Sequence, residues 1–348
     1  MKYYSLDRIM AQKCQFNILV GMRSNGKSYA VKRECVKEAF FGMGDLIYLR
    51  RYDLELKEED VKDYFRDCPT SEITGGQFNF IDVYRGRIYL ANIDEDLNVK
   101  RDRCIGRTAA LSRSGKLKSV IQRGQYKNII YEEFCTNEGF LRNEPSILQQ
   151  FVATVFGVQH VGRVYLIGNT VSKYNPYFFT WNLKGLQKMK PGDLDVYHFT
   201  DGDEVVKIAV EFCAAVEAKN TMFFGNDKAN ITTGVWETQA QPQVPEEFGK
   251  FAVRYRVMIE HEDFKFMLKV IQNKARELLL LCVPAEEETA RRIVSDRITG
   301  DPYRTTRLLP LTNGDALVVD LIKRGKLVYA NNMCGTDFKA VLKSGCII

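Results

Sequence analysis

Buried apolar runs alternate with helix-period stretches through the first half of the chain. Residues 16–20 and 46–49 read as buried strands, and residues 27–40 and 55–66 read as helices. Residues 78–83 and 87–90 flank the turn Tyr84-Arg85-Gly86, which predicts a β-hairpin. Residues 128–131 and 163–167 are two further buried strands. Between them a helix opens at Asn143-Glu144-Pro145 and runs to Phe156. Its apolar face, with Ile147, Leu148, Phe151, Val152, Val155 and Phe156, is core. The pattern then changes. Residues 207–219 are helix-like, and residues 239–245 read as an extended linker. Residues 251–259, 264–272 and 278–283 predict a three-strand meander, a break and short helix follow Pro284, and residues 318–323 and 338–343 read as helices. The expected organisation is an α/β domain over residues 1–190, a connector over 191–248 and a small α+β domain over 249–348.

Two constellations carry chemistry. Gly21-Met22-Arg23-Ser24-Asn25-Gly26-Lys27-Ser28, between the first strand and the first helix, fits G-x-x-x-x-G-K-[ST], the Walker A phosphate loop. Glycines let backbone N–H groups turn around an anion, and the following helix N-terminus adds a favourable dipole. Lys27 can reach the β- and γ-phosphates of a nucleotide, and the Ser28 hydroxyl can ligate Mg²⁺. An ordinary glycine-rich turn is the competing reading, which the flanking strand and helix disfavour. The second constellation is Glu132-Glu133, directly after residues 128–131. A buried strand ending in two acids suits a metal-holding acid followed by one that polarises water. Asp usually stands first, so Glu132 is a departure. Asn169, after the next strand, could sense a γ-phosphate or simply make a turn.

The 348 residues carry a net charge of +6, and the distribution is uneven. Residues 1–199 hold 30 Lys/Arg against 23 Asp/Glu, residues 200–248 hold 3 against 9, and residues 249–348 hold 17 against 12. Residues 97–127 contain nine basic residues and a single acid, Asp102, and Ser112-Arg113-Ser114-Gly115-Lys116 reads as an exposed mobile loop. Such a stretch could meet DNA phosphates or a neighbouring subunit's ATP, or be no more than a solvated surface. The nine scattered cysteines and three histidines have no zinc-like spacing, which suggests reduced thiols and no structural metal. No apolar run is long enough to span a bilayer and no secretory signal is visible, so no membrane association is expected.

These features coincide in one resemblance. Residues 16–30 with the phosphate loop, Leu46-Ile47-Tyr48-Leu49-Arg50-Arg51-Tyr52, Glu132-Glu133-Phe134, and Asn169-Thr170-Val171-Ser172 followed by Asn175-Pro176-Tyr177-Phe178 stand in that order. Together they resemble the DNA-encapsidation (genome-packaging) ATPases of small tailed phages of the phi-29-like group. The resemblance covers most of residues 1–180. It implies an additional-strand (ASCE) P-loop ATPase that forms a homopentameric ring at the portal vertex of an empty capsid and translocates double-stranded DNA. It also implies contact with the portal protein and a structural packaging RNA, location in the host cytoplasm and transiently on the procapsid, and a C-terminal domain resembling a degenerate RNase H-type nuclease. By the same resemblance Gly21, Arg23, Ser24, Asn25, Gly26, Lys27 and Ser28 hold ATP. Ser28 and Glu132 hold Mg²⁺, Glu133 is the catalytic glutamate, and Lys27, Arg23, Asn169 and Lys118 assist. One position departs: Gly157 stands where the family has a trans-acting arginine, leaving Arg142, Arg163 and Lys118 as candidates. DNA contacts would come from Lys57 and the basic residues of 97–127.

Two other functions stay open at this level. A terminase or helicase-like ATPase with an active C-terminal nuclease would need clustered acids, and Asp296, Asp301, Asp315 and Asp320 are present without a telling spacing. A nucleotide-gated scaffold without productive hydrolysis would accommodate Glu132 and Gly157.

Overall fold

A computed structural model describes residues 4–343 apart from 118–120, 122–123, 137–138, 158–161, 171–174, 184, 187–188, 202–203, 215–239, 262–263, 286–291 and 296–299. The chain divides into two units, Met1–Val171 with Asn175–Trp236, and Ser172–Tyr174 with Glu237–Ile348.

The first unit is built on nine strands: β1 (Phe16–Gly21), β2 (Asp45–Arg50), β3 (Phe80–Tyr84), β4 (Arg87–Ile93), β5 (Val99–Ala110), β6 (Tyr126–Glu132), β7 (Arg163–Asn169), β8 (Leu194–Asp201) and β9 (Glu204–Phe212). Their order is β3-β4-β5-β2-β6-β7-β1-β9-β8. The six central strands, β5 to β9 in that order, are parallel, and antiparallel strands close both edges. β1 is buried along its whole length, as a strand covered on both faces must be. Its side chains alternate: Phe16, Ile18 and Val20 pack on one face of the sheet and Leu19 on the other. Among the described residues the helices are α1 (Asp7–Met10), α2 (Lys27–Phe40), α3 (Glu58–Phe65), α4 (Thr70–Ile73), α5 (Ser114–Leu117), α6 (Glu144–Phe156) and α7 (Pro176–Thr180). α2 and α3 bury Val31, Cys35, Val36, Val61 and Phe65 against one face, and α6 and α7 bury Leu148, Phe151, Val155, Tyr177 and Phe178 against the other.

Three expectations change here. The basic stretch 97–127 contains the twelve-residue strand β5 rather than a loop there, and 111–117 continues it as a 3-10 turn and the short helix α5. Its arginines have structural partners. Arg101 pairs with the fully buried Asp82, which also meets Lys62 at 2.9 Å. Arg103 donates to the carbonyls of Phe40 and Ala39 at 2.7 and 2.9 Å, closing the C-terminal turn of α2. Arg113 meets Asp53 at 2.9 Å. The helix expected from residue 207 is, over its described part, the strand β9. Ile208, Val210 and Phe212 face one core and Ala209 the other, a two-residue period that the charged neighbours obscured. Residues 194–212, expected in a connector, therefore extend the first sheet.

Among its described residues the second unit has six strands, β10 (Phe251–His261), β11 (Phe264–Asn273), β12 (Leu278–Pro284), β13 (Ile293–Ser295), β14 (Arg304–Thr305) and β15 (Leu327–Tyr329), in the order β14-β13-β10-β11-β12-β15. β10, β11 and β12 form the expected antiparallel meander, while β13 runs parallel to β10 and β14 parallel to β13. Helices α8 (Asn313–Lys323) and α9 (Asn332–Lys343) fall where helices were expected. The stretch 240–245 is extended but docked: Gln243 bridges to Tyr329, and the Gln241 N–H donates to Asn332 Oδ1 at 3.0 Å.

Candidate active site

The parallel register lines up three strand ends. Gly21 on β1 lies opposite Asn169 on β7, and Glu132 on β6 lies opposite Ile167 on β7. β7 thus separates the strand that feeds the glycine loop from the strand that ends in two acids. A cavity of about 790 Å³ opens at these ends, with Arg23, Lys27, Ser28, Glu132, Glu133 and Asn169 in its wall.

The glycine loop is tightly wound. Gly26, just before the first residue of α2, has φ 94°, and a Cβ on Gly21 would stand 3.1 Å from the Cys213 carbonyl. Asn25 Oδ1 accepts from the Lys27 N–H at 3.2 Å, and the Lys27 ammonium donates to the Met22 and Gly21 carbonyls at 2.6 and 3.3 Å. Burial holds that ammonium below its usual pKa. The loop residues and Lys27 are thus gathered at the N-terminus of a fourteen-residue helix, where free N–H groups favour an anion.

The two acids differ in surroundings. Glu132 accepts a hydrogen bond from the Ser28 hydroxyl. Burial pushes its carboxyl up to about 7, against the opposing influence of Ser28, Arg50 and Lys27. Its second oxygen, Oε2, is buried without a hydrogen-bond partner among the described residues, as are the Asn25 side-chain nitrogen and the Tyr64 hydroxyl, whose residues line the same cavity. Ser28 and Glu132 offer adjacent hard oxygens, one still unused, which suits Mg²⁺, an ion held by few protein oxygens alongside phosphate and water.

Glu133 is 60% exposed at the side chain and has the left-handed φ of 55°. Its Oε2 accepts from Arg50 Nη2 at 2.6 Å, and the same guanidinium reaches Glu55 at 2.8 Å. The backbone behind it is fixed from below. Arg51 donates to the Glu133 and Phe134 carbonyls at 3.3 and 2.8 Å and makes a two-point ion pair with Glu144 at 2.8 and 3.1 Å. Glu144 is fully buried and also accepts from the Tyr131 and Tyr177 hydroxyls and the Leu141 N–H.

The structure therefore brings together Gly21, Arg23, Ser24, Asn25, Gly26, Lys27, Ser28, Glu132, Glu133 and Asn169. Lys118 lies outside the described residues. Gly157 ends α6 with φ 72°, a conformation that favours glycine. Arg163 sits at the other end of β7, paired with Glu38, and is not a free cation for a phosphate. Arg142 is exposed just before α6, and Lys57 is exposed just before α3. The sequence reading missed Glu144, taken only as a helix opener, and the pairing roles of Arg50 and Arg51. The signal was present: two arginines end β2, two acids end β6, and these strands are parallel neighbours with Leu49 opposite Tyr131.

The acids of the second unit are dispersed. Asp315 is buried against Arg292 at 3.3 Å and Tyr255 at 2.9 Å, Asp320 meets Arg324 at 2.9 Å, and Asp301 accepts from the Tyr303 N–H at 2.9 Å. Asp296 lies outside the described residues. Among the described residues no three His, Cys, Asp or Glu side chains gather to hold a metal ion.

The DNA packaging protein of Bacillus phage B103 is 32% identical over 182 residues, 51% of this chain and 50% of that protein. The DNA packaging protein of Bacillus phage phi29 is 33% identical over 193 residues, 52% of this chain and 49% of that protein. The matched segment spans about half the length of these relatives. In fold, the chain is similar to a chain of the bacteriophage Phi-29 viral genome packaging motor assembly, with TM-score 0.55 and 20% identity over 98% of each chain. The family model of the Podovirus DNA encapsidation protein (Gp16) matches residues 1–223, and the chain belongs to that family.

Proposed function

We propose that this chain is the ATP-hydrolysing subunit of a motor that moves double-stranded viral DNA into a preformed capsid. The observation that carries the reading is the row of Lys27-Ser28, Glu132-Glu133 and Asn169 around one cavity, on three parallel strands with β7 between β1 and β6. That strand order is the one an additional-strand (ASCE) P-loop ATPase requires.

ATP would enter with its phosphates over the loop of residues 21–28. Lys27 would exchange the Met22 and Gly21 carbonyls for β- and γ-phosphate oxygens, which relieves the burial of its charge. Ser28 and Glu132 would hold Mg²⁺, which when bound supplies charge neutralisation between the β- and γ-phosphates. Glu133 stands at the open side of the cavity, where its carboxylate can orient the attacking water once it leaves Arg50. Asn169, level with Gly21, is placed to report on the γ-phosphate. Arg23 on the exposed side of the loop would add positive charge.

The motor would work as a homo-oligomeric ring, pentameric by the family resemblance, at the portal vertex, with the portal protein and a structural RNA as partners and DNA gripped through its phosphates. The similarity to a chain of the Phi-29 motor assembly supports this setting. The trans-acting positive charge would come from Lys118 or Arg142 rather than from Gly157. In the second unit, the order β12-β11-β10-β13-β14, antiparallel and then parallel, supports an RNase H-type lineage. The separately paired acids favour a DNA- or portal-contacting role over cleavage. The test is ATP turnover by the assembled protein with and without double-stranded DNA. Lys27→Ala should lose nucleotide binding and DNA-stimulated turnover while the protein stays folded. Metal-dependent DNA cleavage by the full chain would instead favour the nuclease reading.

A further inference from the structure

α3 brings to the cavity a side chain for which the phosphate site has no assigned use. Tyr64, one residue before the end of α3, has its ring held on three sides: Tyr48 at 4.5 Å, Phe65 at 5.0 Å, and the Lys32 ammonium 4.6 Å from the ring centre. Lys32 also binds the Tyr64 carbonyl and the Asp67 carboxylate. Lys32 stands four residues after Ser28 on α2, so this buried lysine ties α3 to the turn that follows the phosphate loop. The ring is fixed, yet its hydroxyl is buried without a hydrogen-bond partner among the described residues. Native structures seldom leave such a group unpaired unless something else satisfies it.

Glu132 carries the complementary acceptor. Oε1 accepts from Ser28, and Oε2 is buried with no partner among the described residues. Both residues line the same cavity. A glutamate reaches one methylene further than an aspartate and has one more rotatable bond. Holding it at a metal site costs more rotamer freedom, which a hydrogen-bond partner outside the ligand set offsets.

We propose that Tyr64 is a positioning residue for the divalent-metal site: its hydroxyl and Glu132 Oε2 share one water in the outer shell of the metal, which fixes the longer carboxylate. The inference rests on the nucleotide-site reading above and deepens it. Tyr64 touches neither the nucleotide nor the metal. It acts through Glu132, as partners outside the ligand set commonly do, with about 10–100-fold effects on metal affinity.

The test uses Mn²⁺ as a spin probe, titrated into the full chain saturated with ADP. Tyr64→Phe keeps the ring and its packing. It should weaken Mn²⁺ binding about tenfold, with the thermal midpoint and ADP binding in EDTA unchanged. In a Glu132→Asp background, Tyr64→Phe should cause no further loss. Unchanged Mn²⁺ affinity in Tyr64→Phe, an equal loss in the Glu132→Asp background, or a matching loss of metal-free ADP binding would each overturn the proposal. The site reading fails on a different result: Ser28→Ala leaving Mn²⁺ affinity at the wild-type value.

Discussion

Arg50 Nη2 lies 2.6 Å from Glu133 Oε2, at the ends of two neighbouring parallel strands. The residue proposed to orient water is therefore held by a cation from the next strand, and that cation is shared with Glu55 at 2.8 Å. While the pair stands, one of the two Glu133 oxygens is taken by Arg50 and the direction of the carboxylate is set by it.

The pair is solvent-accessible on the Glu133 side, 60% exposed, so its strength is that of a surface pair, about 0.2–1 kcal/mol. Arg50→Ala should raise ATP turnover measured without DNA by up to about fivefold and narrow the ratio between DNA-stimulated and basal rates. Phosphate release with and without DNA measures both. A fall in the basal rate would mean that Arg50 assists the chemistry.

The Arg51–Glu144 pair is of another kind. Both partners are buried, and the carboxylate also accepts from two tyrosines. Removing the cation leaves an uncompensated charge, so Arg51→Met should cost about 3–5 kcal/mol in chemical denaturation. Because Arg51 also holds the Glu133 and Phe134 carbonyls, folded Arg51→Met protein should hydrolyse ATP more slowly with ADP affinity unchanged.

How much of this was legible in the sequence depended on the kind of signal. The strands at residues 16–20, 46–49, 128–131 and 163–167 were readable because strands buried on both faces are continuous apolar runs. The glycine loop of residues 21–28 stood out because its spacing fits a fixed pattern, and it falls between β1 and α2 as expected. β5 was not, because its exposed positions carry arginines whose partners, Asp82 and the α2 carbonyls, are distant in sequence. β9 was not, because its charged neighbours hid a two-residue period. Glu144 and Tyr64 are invisible for a similar reason: a glutamate at a helix start and a tyrosine near a helix end are ordinary until the fold pairs Glu144 with the Arg51 that holds the Glu133 and Phe134 carbonyls, and sets Tyr64 in the cavity wall with Glu132.

That reassignment of β5 has its own test. Asp82 is fully buried while Lys62 and Arg101 are about one-third exposed, so Asp82→Ala removes two charge-assisted contacts but leaves cations that water reaches, and should cost about 1–3 kcal/mol of stability. Arg101→Ala should leave the salt dependence of DNA binding unchanged, whereas loss of a true phosphate contact lowers the slope of log K against log salt by about 1. Binding titrations at several salt concentrations separate the two.

Glu132 gives a pH signature in EDTA. Burial raises its folded carboxyl to about 7 from an ordinary 4.5. A group whose folded pKa is raised stabilises the fold in its protonated form. The contribution is complete below about pH 4.5 and is lost as pH rises through about 7. The denaturation midpoint of the wild type, compared with Glu132→Gln at each pH, should therefore fall across that window. A difference that stays constant with pH would contradict the burial of this carboxyl.

The central claim is that one cavity binds ATP through Lys27 and Ser28 and hydrolyses it through Glu133. The most direct measurement is single-turnover hydrolysis of ATP by the assembled protein carrying Glu133→Gln, with ATP affinity measured in parallel. The account predicts wild-type affinity and a hydrolysis rate lowered by about 10²–10⁴-fold, the usual contribution of a positioned base. Wild-type hydrolysis in Glu133→Gln would contradict it.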